Sequence, residues 1–362
     1  MFNISTSIHA GDEMYLTALA KITSSGLAKA VYLRQGADIN ATIQQLLNWR
    51  FGRKDTIKFL DFASGYGRST RFLVQDVPPS NVWVSDIYAD AVTFQKETFK
   101  VNGFVSCHNP SSLYCDEKFD MIFVASLFTH LPQERFMNWL RRLFEMLAPR
   151  GVLVFSLHDE ALAGGREIPP PGILFLEASE SRTLSKKEYG ETYVTEGFVQ
   201  LAINTITSSS WPYRRLVRAL CGAQDVYIVP KNSDETFRDF HYVQPPVGYV
   251  DWFKISETGE LRIGGWAGNP NDGVGLEAVG VSIGGSTIMS CKPDLPRPDV
   301  AKVLGNEKYF NSGWECVHSV SGLNLDGMIE VVAISEGGLS ALLHFSPLSA
   351  ADQRNSPASP LE

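Results

Sequence analysis

The chain has 362 residues, of which 44% are hydrophobic and 20% are charged, and its formal net charge is −8. The length favours two domains, and the acidic balance argues against a dedicated nucleic-acid-binding protein, which would carry a basic surplus. No run of about 18 apolar residues is present, so we expect no membrane span. The N-terminus lacks the basic start and apolar block of a signal peptide. We therefore expect a cytoplasmic protein.

The cysteines are scattered along the chain and odd in number. None forms a C-x-x-C pair, which argues against both a zinc site and a disulfide framework. We therefore expect reduced thiols at all five positions: Cys107, Cys115, Cys221, Cys291 and Cys316. Carboxylates and histidines do not cluster at metal-ligand spacing either, so no metal site is predicted.

The N-terminal region shows helical periodicity. The stretches "MYLTALAKI" and "INATIQQLLNWRF" carry apolar residues at three- and four-residue spacing. We predict a helical cap over residues 1–56.

From residue 57 onward, short apolar strands alternate with amphipathic helices. The strands are predicted at "IKFLDF", "NVWVSD", "FVSCH", "FDMIFVAS" and "VLVFSL". This alternation indicates a mainly parallel sheet with crossover helices. Residues 159–190 break the pattern with three consecutive prolines and are predicted to form an inserted loop. A helix with Thr195 as its N-cap then precedes two closing strands.

The pattern changes after about residue 246. The stretches "LRIGGWAG", "LEAVGVSIGG" and "GMIEVVAIS" alternate with period two between glycines and turn residues. We predict a small all-β domain, a sandwich, over residues 246–346. Residues 347–362 are polar and are predicted to be a disordered tail.

One stretch, "LDFASGYGRSTRFL" at residues 60–73, places two glycines between a strand and a helix. Amide groups and the positive helix end at such a turn favour an anionic or polar ligand. The next strand ends in Asp86, where a carboxylate can accept hydrogen bonds from both ribose hydroxyls. A cofactor that contains a nucleoside is therefore predicted. Dinucleotide sites favour G-x-G-x-x-G, but Thr70 stands at the third glycine position.

The order of strand, Asp61, three residues and then G-x-G resembles motif I of class I S-adenosylmethionine-dependent methyltransferases. The resemblance continues through Asp86, "FDMIFVASLFTHLP" and "LFEMLAPRGVLVFSLH", and it departs from many members at Ala63, where they carry a further glycine. It implies an α/β fold with a Rossmann-like, mostly parallel, seven-stranded sheet. The predicted methyltransferase domain spans residues 57–235, with S-adenosylmethionine as cofactor.

The same resemblance implies a set of cofactor contacts. Asp61 would anchor the amino group of the cofactor, Asp86 and the following Ile87 would hold the ribose, and Asn109 would lie at the adenine edge. Two helical residues of "VYLRQG" would close over the cofactor, although an ordinary helix surface is an equal alternative. The remaining contacts are the loop residues at the methionine end, the residues beside the sulfonium and these two helical residues: Ala63, Ser64, Gly65, Tyr66, Gly67; Ser126, Leu127; Tyr32, Arg34.

A sulfonium methyl group is already activated, so the enzyme mainly has to align a nucleophile and exclude water. A hydroxyl nucleophile also needs a base. His158, just past the fifth strand, is predicted to be that base, because ligands of open α/β sheets bind at the carboxyl edge. His130 in "SLFTHLP" is a rival that we interpret mainly as an acceptor contact. Further candidate acceptor contacts are Tyr193, Gln224 and Asp225.

The C-terminal stretches "GGWAGNP", "VGVSIGG" and "DLPRPDVAKVLGNEKYFNSGWECVHSV" resemble a small sandwich module attached to bacterial surface-glycan enzymes. The combined resemblances imply an O-methyltransferase for a bacterial saccharide, either a surface polysaccharide or a sugar precursor, with other glycan-assembly enzymes as partners. The acceptor could instead be a small metabolite, a lipid or a protein. A catalytically idle glycan-binding or assembly subunit is a further alternative, against which the intact Asp61, Gly65, Gly67 and Asp86 argue.

Overall fold

The computed structural model describes residues 4–22, 24–178, 184–320 and 327–350. The chain divides into two compact units. The first, here called the α/β unit, consists of Ser7–Asp12 and Thr42–Tyr242, and the second, the β unit, of Met1–Thr6, Glu13–Ala41 and Val243–Glu362. This division differs from the sequence-based one. The sequence predicted a cap over residues 1–56, whereas residues 13–41 belong to the unit that holds the C-terminal strands.

The α/β unit is built on one mixed sheet. Its strands are β1 Phe59–Phe62, β2 Val82–Asp86, β3 Asn102–Val105, β4 Phe119–Val124, β5 Leu147–Asp159, β6 Ile173–Leu176, β7 Glu191–Val194, β8 Arg214–Leu220 and β9 Gln224–Pro230. Strands β3, β2, β1, β4 and β5 lie side by side and parallel. Strands β9 and β8 follow β5 in antiparallel pairing. The predicted parallel-rich α/β sheet is confirmed.

The sheet has nine strands rather than the predicted seven. The additional pair, β6 and β7, lies in the segment that was predicted to be a loop. The three prolines, residues 169–171, precede β6, so they do not interrupt its "ILFL" run. β7 pairs in parallel with the last two residues of β5, and this pairing brings the inserted segment to the carboxyl edge of the sheet.

The α-helices within the described ranges are α1 Glu13–Lys21, α2 Ser25–Arg50, α3 Thr70–Leu73, α4 Ala89–Phe99, α5 Gln133–Glu145, α6 Glu196–Thr207 and α7 Pro298–Leu304. Helix α5 buries Phe136, Trp139, Leu140 and Leu143, the spacing of one apolar helix face. These residues belong to the core that also covers the central strands. The predicted N-cap of α6 is confirmed, since the Thr195 hydroxyl accepts the N–H of Phe198 at 3.2 Å.

The β unit contains two antiparallel sheets, β10-β11-β14 and β13-β12-β15-β16. Their strands are β10 Val247–Ile255, β11 Glu260–Gly268, β12 Leu276–Ile283, β13 Ser286–Cys291, β14 Gly313–Ser319, β15 Met328–Ser335 and β16 Ser340–Pro347. Alternate residues of both sheets form one apolar core, as expected for facing sheets. Of the predicted tail, Leu348–Ala350 form a short 3₁₀ turn, and residues 351–362 lie outside the described residues.

The cysteines of the β unit correct one expectation. Cys291 on β13 and Cys316 on β14 form a disulfide, so they are not the reduced thiols that the sequence suggested. The two sheets bring together cysteines that no C-x-x-C spacing links. Cys107, Cys115 and Cys221 do not form disulfides.

Two kinds of feature are absent from the described parts of the chain. No helix there is long and apolar enough to cross a membrane. Within the same ranges, no group of three or more histidine, cysteine, aspartate or glutamate side chains is arranged to hold a metal ion.

Candidate cofactor and acceptor site

The loop between β1 and α3 makes a tight turn on left-handed backbone. Ala63, Gly65 and Gly67 have φ angles of 56°, 55° and 76°. A Cβ atom on Gly67 would lie 2.5 Å from Phe99 Cε2 and 2.6 Å from Gln95 Oε1, so only glycine fits there. The Gln95 amide also donates to Gly65 O at 2.8 Å. The loop backbone is therefore held in place from the side of α4.

Asp86 ends β2 directly beside this loop and is buried. Its Oδ2 accepts the N–H of Gly65 at 2.8 Å, and its Oδ1 accepts the N–H of Tyr88 at 3.1 Å. Each carboxylate oxygen has two lone pairs, so these bonds do not preclude a ribose hydroxyl. The structure thus places Asp86 in contact with the glycine loop, and these are the two features that the sequence singled out.

Asp61 lies on β1 beneath the loop and is 1% exposed. It accepts hydrogen bonds from the hydroxyls of Ser69 at 3.0 Å and Thr70 at 2.8 Å. The pKa of Asp61 is raised to about 6, first by burial and also by the charge of Asp86, while these hydrogen bonds oppose the increase. A carboxylate in this environment would be stabilised by a cationic ligand group, such as a protonated amine.

Sequence reasoning missed the segment Ser7–Asp12, which contacts the glycine loop within the α/β unit. The His9 ring stacks on Tyr66 with centroids 4.7 Å apart. The Tyr66 hydroxyl donates to Asp90 at 2.6 Å, and Arg71 donates to the Ser7 carbonyl at 2.9 Å. Because the partners lie far apart in sequence and share no motif, no local signal points to this contact.

The two helical residues predicted to close over the cofactor make their contacts within the β unit. Arg34 donates to the carbonyl of Gly248 at 3.4 Å, and its guanidinium lies over the ring of Tyr249. Tyr32 is buried and packs edge-on against Tyr15. These contacts account for both side chains without a cofactor, so we do not include them in the proposed site.

The loops after β3 and β4 carry the other predicted cofactor contacts. The Asn109 carboxamide accepts the N–H of Ser111 at 3.1 Å and caps the short turn Pro110–Ser112. Ser126 has a φ of 60° and lies two residues after Val124, the last residue of β4. Leu127 packs against the main core. Polar backbone and side-chain groups thus follow β3 and β4 at the carboxyl edge of the sheet.

A hydrogen-bonded group of side chains connects β4, β5 and β9 at this edge. The Ser126 N–H donates to Ser156 Oγ at 2.8 Å, and Ser156 Oγ donates to Gln224 Oε1 at 2.7 Å. Gln224 Nε2 lies 3.0 Å from Ser126 Oγ and 3.4 Å from His158 Nε2. The ring of Tyr193 stacks on His158 with centroids 5.5 Å apart. Four predicted site residues are therefore brought together: Ser126, His158, Tyr193 and Gln224.

His130, in the loop after β4, joins this group through β7. Its Nδ1 lies 2.7 Å from the carbonyl oxygen of Gly190, the residue that precedes β7. The His130 ring stacks on Tyr189. Burial lowers the pKa of His158, the charge of His130 lowers it further, and Glu191 opposes both. The two histidines therefore lie within electrostatic range of one another.

Asp225 does not join the group, which corrects its predicted role as an acceptor contact. It is 1% exposed and pairs with Arg215 at 2.7 Å. It also accepts the N–H of Arg218 at 2.8 Å, while Arg215 contacts Asp159 at 2.7 Å. Neighbouring residues of a strand point to opposite faces, so Gln224 and Asp225 cannot both face the histidines. Asp225 instead holds the β8–β9 pair together.

A family model described as "Methyltransferase domain" matches residues 59–151, which run from β1 into β5 and include the glycine loop and Asp86. No curated protein matches the chain by sequence. The match makes this segment a methyltransferase domain. Together with the loop and the acid that it contains, the match supports an S-adenosylmethionine-dependent methyltransferase, with S-adenosylmethionine as cofactor.

Solved methyltransferase structures resemble part of the chain. One is a Burkholderia thailandensis 1,6-didemethyltoxoflavin-N1-methyltransferase with 1,6-didemethyltoxoflavin and S-adenosylhomocysteine (17% identity, 64% of this chain, 94% of that chain, TM-score 0.40). Another is a magnesium protoporphyrin IX methyltransferase from Synechocystis PCC 6803 with S-adenosylhomocysteine (14% identity, 61% and 96%, TM-score 0.40). A third is an S-adenosylmethionine-dependent methyltransferase from Clostridium acetobutylicum ATCC 824 (13% identity, 53% and 90%, TM-score 0.38). Likenesses this distant do not identify the acceptor.

Proposed function

We propose that this protein transfers the methyl group of S-adenosylmethionine to a hydroxyl group of a saccharide. The observation that carries the hydroxyl acceptor is the pair His130 and His158 at the carboxyl edge of the sheet. An alcohol is a poor nucleophile until a base takes its proton. An imidazole can serve as that base near neutral pH. An acceptor that is already nucleophilic, such as an amine, would need less of this machinery.

In this proposal the cofactor lies along the loop from Ala63 to Gly67. Asp61 attracts its amino group, and Asp86 binds its ribose next to Ile87. Asn109 lies at the adenine edge, and Ser126 and Leu127 lie beside the sulfonium. The bound cofactor supplies an activated methyl group, and the chain orients the acceptor and excludes water.

A saccharide fits the side chains around the histidines. Tyr189 and Tyr193 offer aromatic rings, which pack against the apolar faces of sugars while their polar groups reach hydroxyls. Gln224 and Glu191 supply further hydrogen-bonding groups in the same cluster. The resemblance of the C-terminal stretches to modules of bacterial surface-glycan enzymes supports a glycan or a sugar precursor as acceptor, with glycan-assembly enzymes as partners. A cytoplasmic location is part of this proposal. The Cys291–Cys316 disulfide argues against that location, because disulfides persist mainly in oxidising compartments.

The experiment that tests this proposal is an assay of S-adenosylhomocysteine formation by the full chain. The acceptor panel contains UDP-glucose, GDP-mannose and short oligosaccharides, and also catechol, glycine and a serine-containing peptide as non-sugar probes. We expect turnover with at least one sugar, absent in an Asp86→Ala control. Turnover with non-sugar probes alone would contradict the saccharide acceptor. Tight cofactor binding without turnover on any probe would favour an idle assembly subunit.

A further inference from the structure

The segment inserted after β5 places a carboxylate among the aromatic rings of the acceptor site. We propose that Glu191 binds a positively charged amino group of the acceptor, so that the acceptor is an amino sugar whose hydroxyl group is methylated. This inference rests on the proposed transfer to a saccharide hydroxyl. It adds the class of saccharide and the residue that selects it.

The direction of Glu191 follows from the register of β7. Alternate residues of a strand point to the same face, so Tyr189, Glu191 and Tyr193 share one face. Thr192, which points the other way, is 1% exposed. The pairing of His158 with Tyr193 sets β7 beside the end of β5. The inserted segment therefore presents a tyrosine, a carboxylate and a second tyrosine to one side.

Both tyrosines contact a histidine of the acceptor site. The ring of Tyr189 stacks on His130 with centroids 4.4 Å apart, and the ring of Tyr193 stacks on His158 with centroids 5.5 Å apart. On the strand, Glu191 stands between these two aromatic pairs. The face of a tyrosine ring carries partial negative charge and attracts a cation. Rings and carboxylate thus favour the same kind of ligand group.

The Glu191 carboxylate is held by a neighbour but is not neutralised by one. Its Oε2 accepts the Tyr193 hydroxyl at 3.2 Å. Among the described residues, no ion pair joins Glu191 to a lysine or an arginine, whereas Glu188 on the same segment is paired with Arg135. One accepted hydrogen bond leaves further lone pairs on the two oxygens of Glu191 for a ligand.

The nearby histidine does not supply the missing positive charge. The pKa of His158 is lowered, first by burial and also by the charge of His130, while Glu191 opposes the decrease. The neutral imidazole is therefore favoured at His158. An ammonium group would bring the opposite charge and three donors, and hydrogen bonds between charged partners are about twice as strong as neutral ones. A carboxylate in this place therefore selects a protonated amine over a hydroxyl or an acetamido group.

Arg166, in the same inserted segment, is the group that would favour an anionic acceptor instead. The pKa of Tyr193 is raised, first by burial and also by Glu191, and the charge of Arg166 opposes the increase. The Arg166 side chain is exposed, however, and it donates to the carbonyl of Ala163 at 2.9 Å. Glu191 contacts the Tyr193 hydroxyl directly. An acidic sugar is therefore the decisive competing probe.

The first test measures binding to the full chain saturated with S-adenosylhomocysteine, so that no methyl group can be transferred. Glucosamine, galactosamine and mannosamine are each titrated against their N-acetyl forms by ligand-observed NMR, with glucuronate as the acidic probe. The mildly acidic pH keeps the amines protonated and carboxylates ionised. We expect at least one amino sugar to bind about tenfold or more tightly than its N-acetyl form, and glucuronate to bind most weakly. No preference in any pair, or a preference for glucuronate, would overturn the inference.

Two matched variants assign the preference to one side chain. Glu191→Gln removes the charge and keeps an acceptor for the Tyr193 hydroxyl, and the preference for the amine should fall below about threefold. Glu188→Gln makes the same chemical change on a carboxylate that Arg135 already neutralises, and it should keep the preference. Calorimetric affinity for S-adenosylmethionine close to the wild-type value shows that each variant is folded. Equal loss of preference in both variants would contradict the assignment to Glu191.

The turnover assay keeps the two proposals apart. With S-adenosylmethionine, the amino sugar that binds most tightly should be methylated on oxygen, which NMR of the product establishes. Methylation on nitrogen, or no turnover with any sugar, would contradict the proposed function, while the binding preference and its loss in Glu191→Gln still decide the role of Glu191. Methylation of neutral sugars at an equal rate in wild type and Glu191→Gln, without preference for the amino forms, would support the proposed function and contradict the inference.

Discussion

Replacing Asp86 with alanine is expected to weaken S-adenosylmethionine binding by about 1.5–3 kcal/mol, which is about 10- to 150-fold in Kd. Asp86 stands at the end of β2 with both oxygens turned towards main-chain N–H groups of Gly65 and Tyr88. The substitution removes the charged group that we propose as acceptor for the ribose hydroxyls, and it also leaves the Gly65 N–H without its Asp86 partner. Isothermal titration calorimetry of the folded variant measures the loss.

Asp90→Asn is the matched control for this substitution. Asp90 lies in the first turn of α4, carries the same charge and accepts the Tyr66 hydroxyl at 2.6 Å. Its neutralisation changes the local charge as much as the Asp86 substitution does. We expect its Kd to stay within a few-fold of wild type. Equal losses in the two variants would mean that general electrostatics, not the ribose contact, determines the affinity.

Replacing Arg215 with alanine is expected to destabilise the α/β unit by about 2–4 kcal/mol. The guanidinium is the partner of the buried Asp225, and it also contacts Asp159 and Glu196. Removing one member of a buried ion pair leaves the other charge uncompensated, which typically costs about 3–5 kcal/mol. The partial exposure of Arg215 places our value somewhat lower. Chemical denaturation followed by circular dichroism measures the change.

An exposed ion pair provides the comparison. Arg53 and Asp55 pair in solvent, with side chains 73% and 50% exposed. Arg53→Ala should change the free energy of unfolding far less than Arg215→Ala does, because such pairs are screened by water. If Arg215→Ala changes the free energy of unfolding as little as Arg53→Ala does, the buried Asp225 does not depend on Arg215. That result would contradict the role of Asp225 in stabilising the β8–β9 pair.

The glycine loop and its acid were predictable because their signals are local. The loop needs left-handed backbone, which favours glycine at Gly65 and Gly67, and Asp86 ends an apolar strand at a recognisable spacing. Parallel strands then place all their carboxyl ends at one edge. From the sequence alone, the same rule predicts that His130, His158 and Ser126 lie at that edge.

The features that were missed depend on contacts between distant parts of the chain. β6 and β7 are only four residues each, too short for a clear alternating pattern. The stacking of His9 on Tyr66 and the Cys291–Cys316 disulfide join strands or loops that no motif links. Gln224 and Asp225 look alike as polar neighbours, and only the direction of β9 shows which one faces the histidines.

The most direct test of the cofactor assignment is calorimetric titration of the full chain with S-adenosylmethionine, S-adenosylhomocysteine and, separately, NAD. The glycine loop has Thr70 where a dinucleotide site would carry its third glycine, and the buried Asp61 beneath it suits an amino group. We expect one S-adenosylmethionine bound per chain, competition by S-adenosylhomocysteine, and no heat with NAD. Binding of NAD without binding of S-adenosylmethionine at about millimolar concentration would contradict the proposed cofactor site.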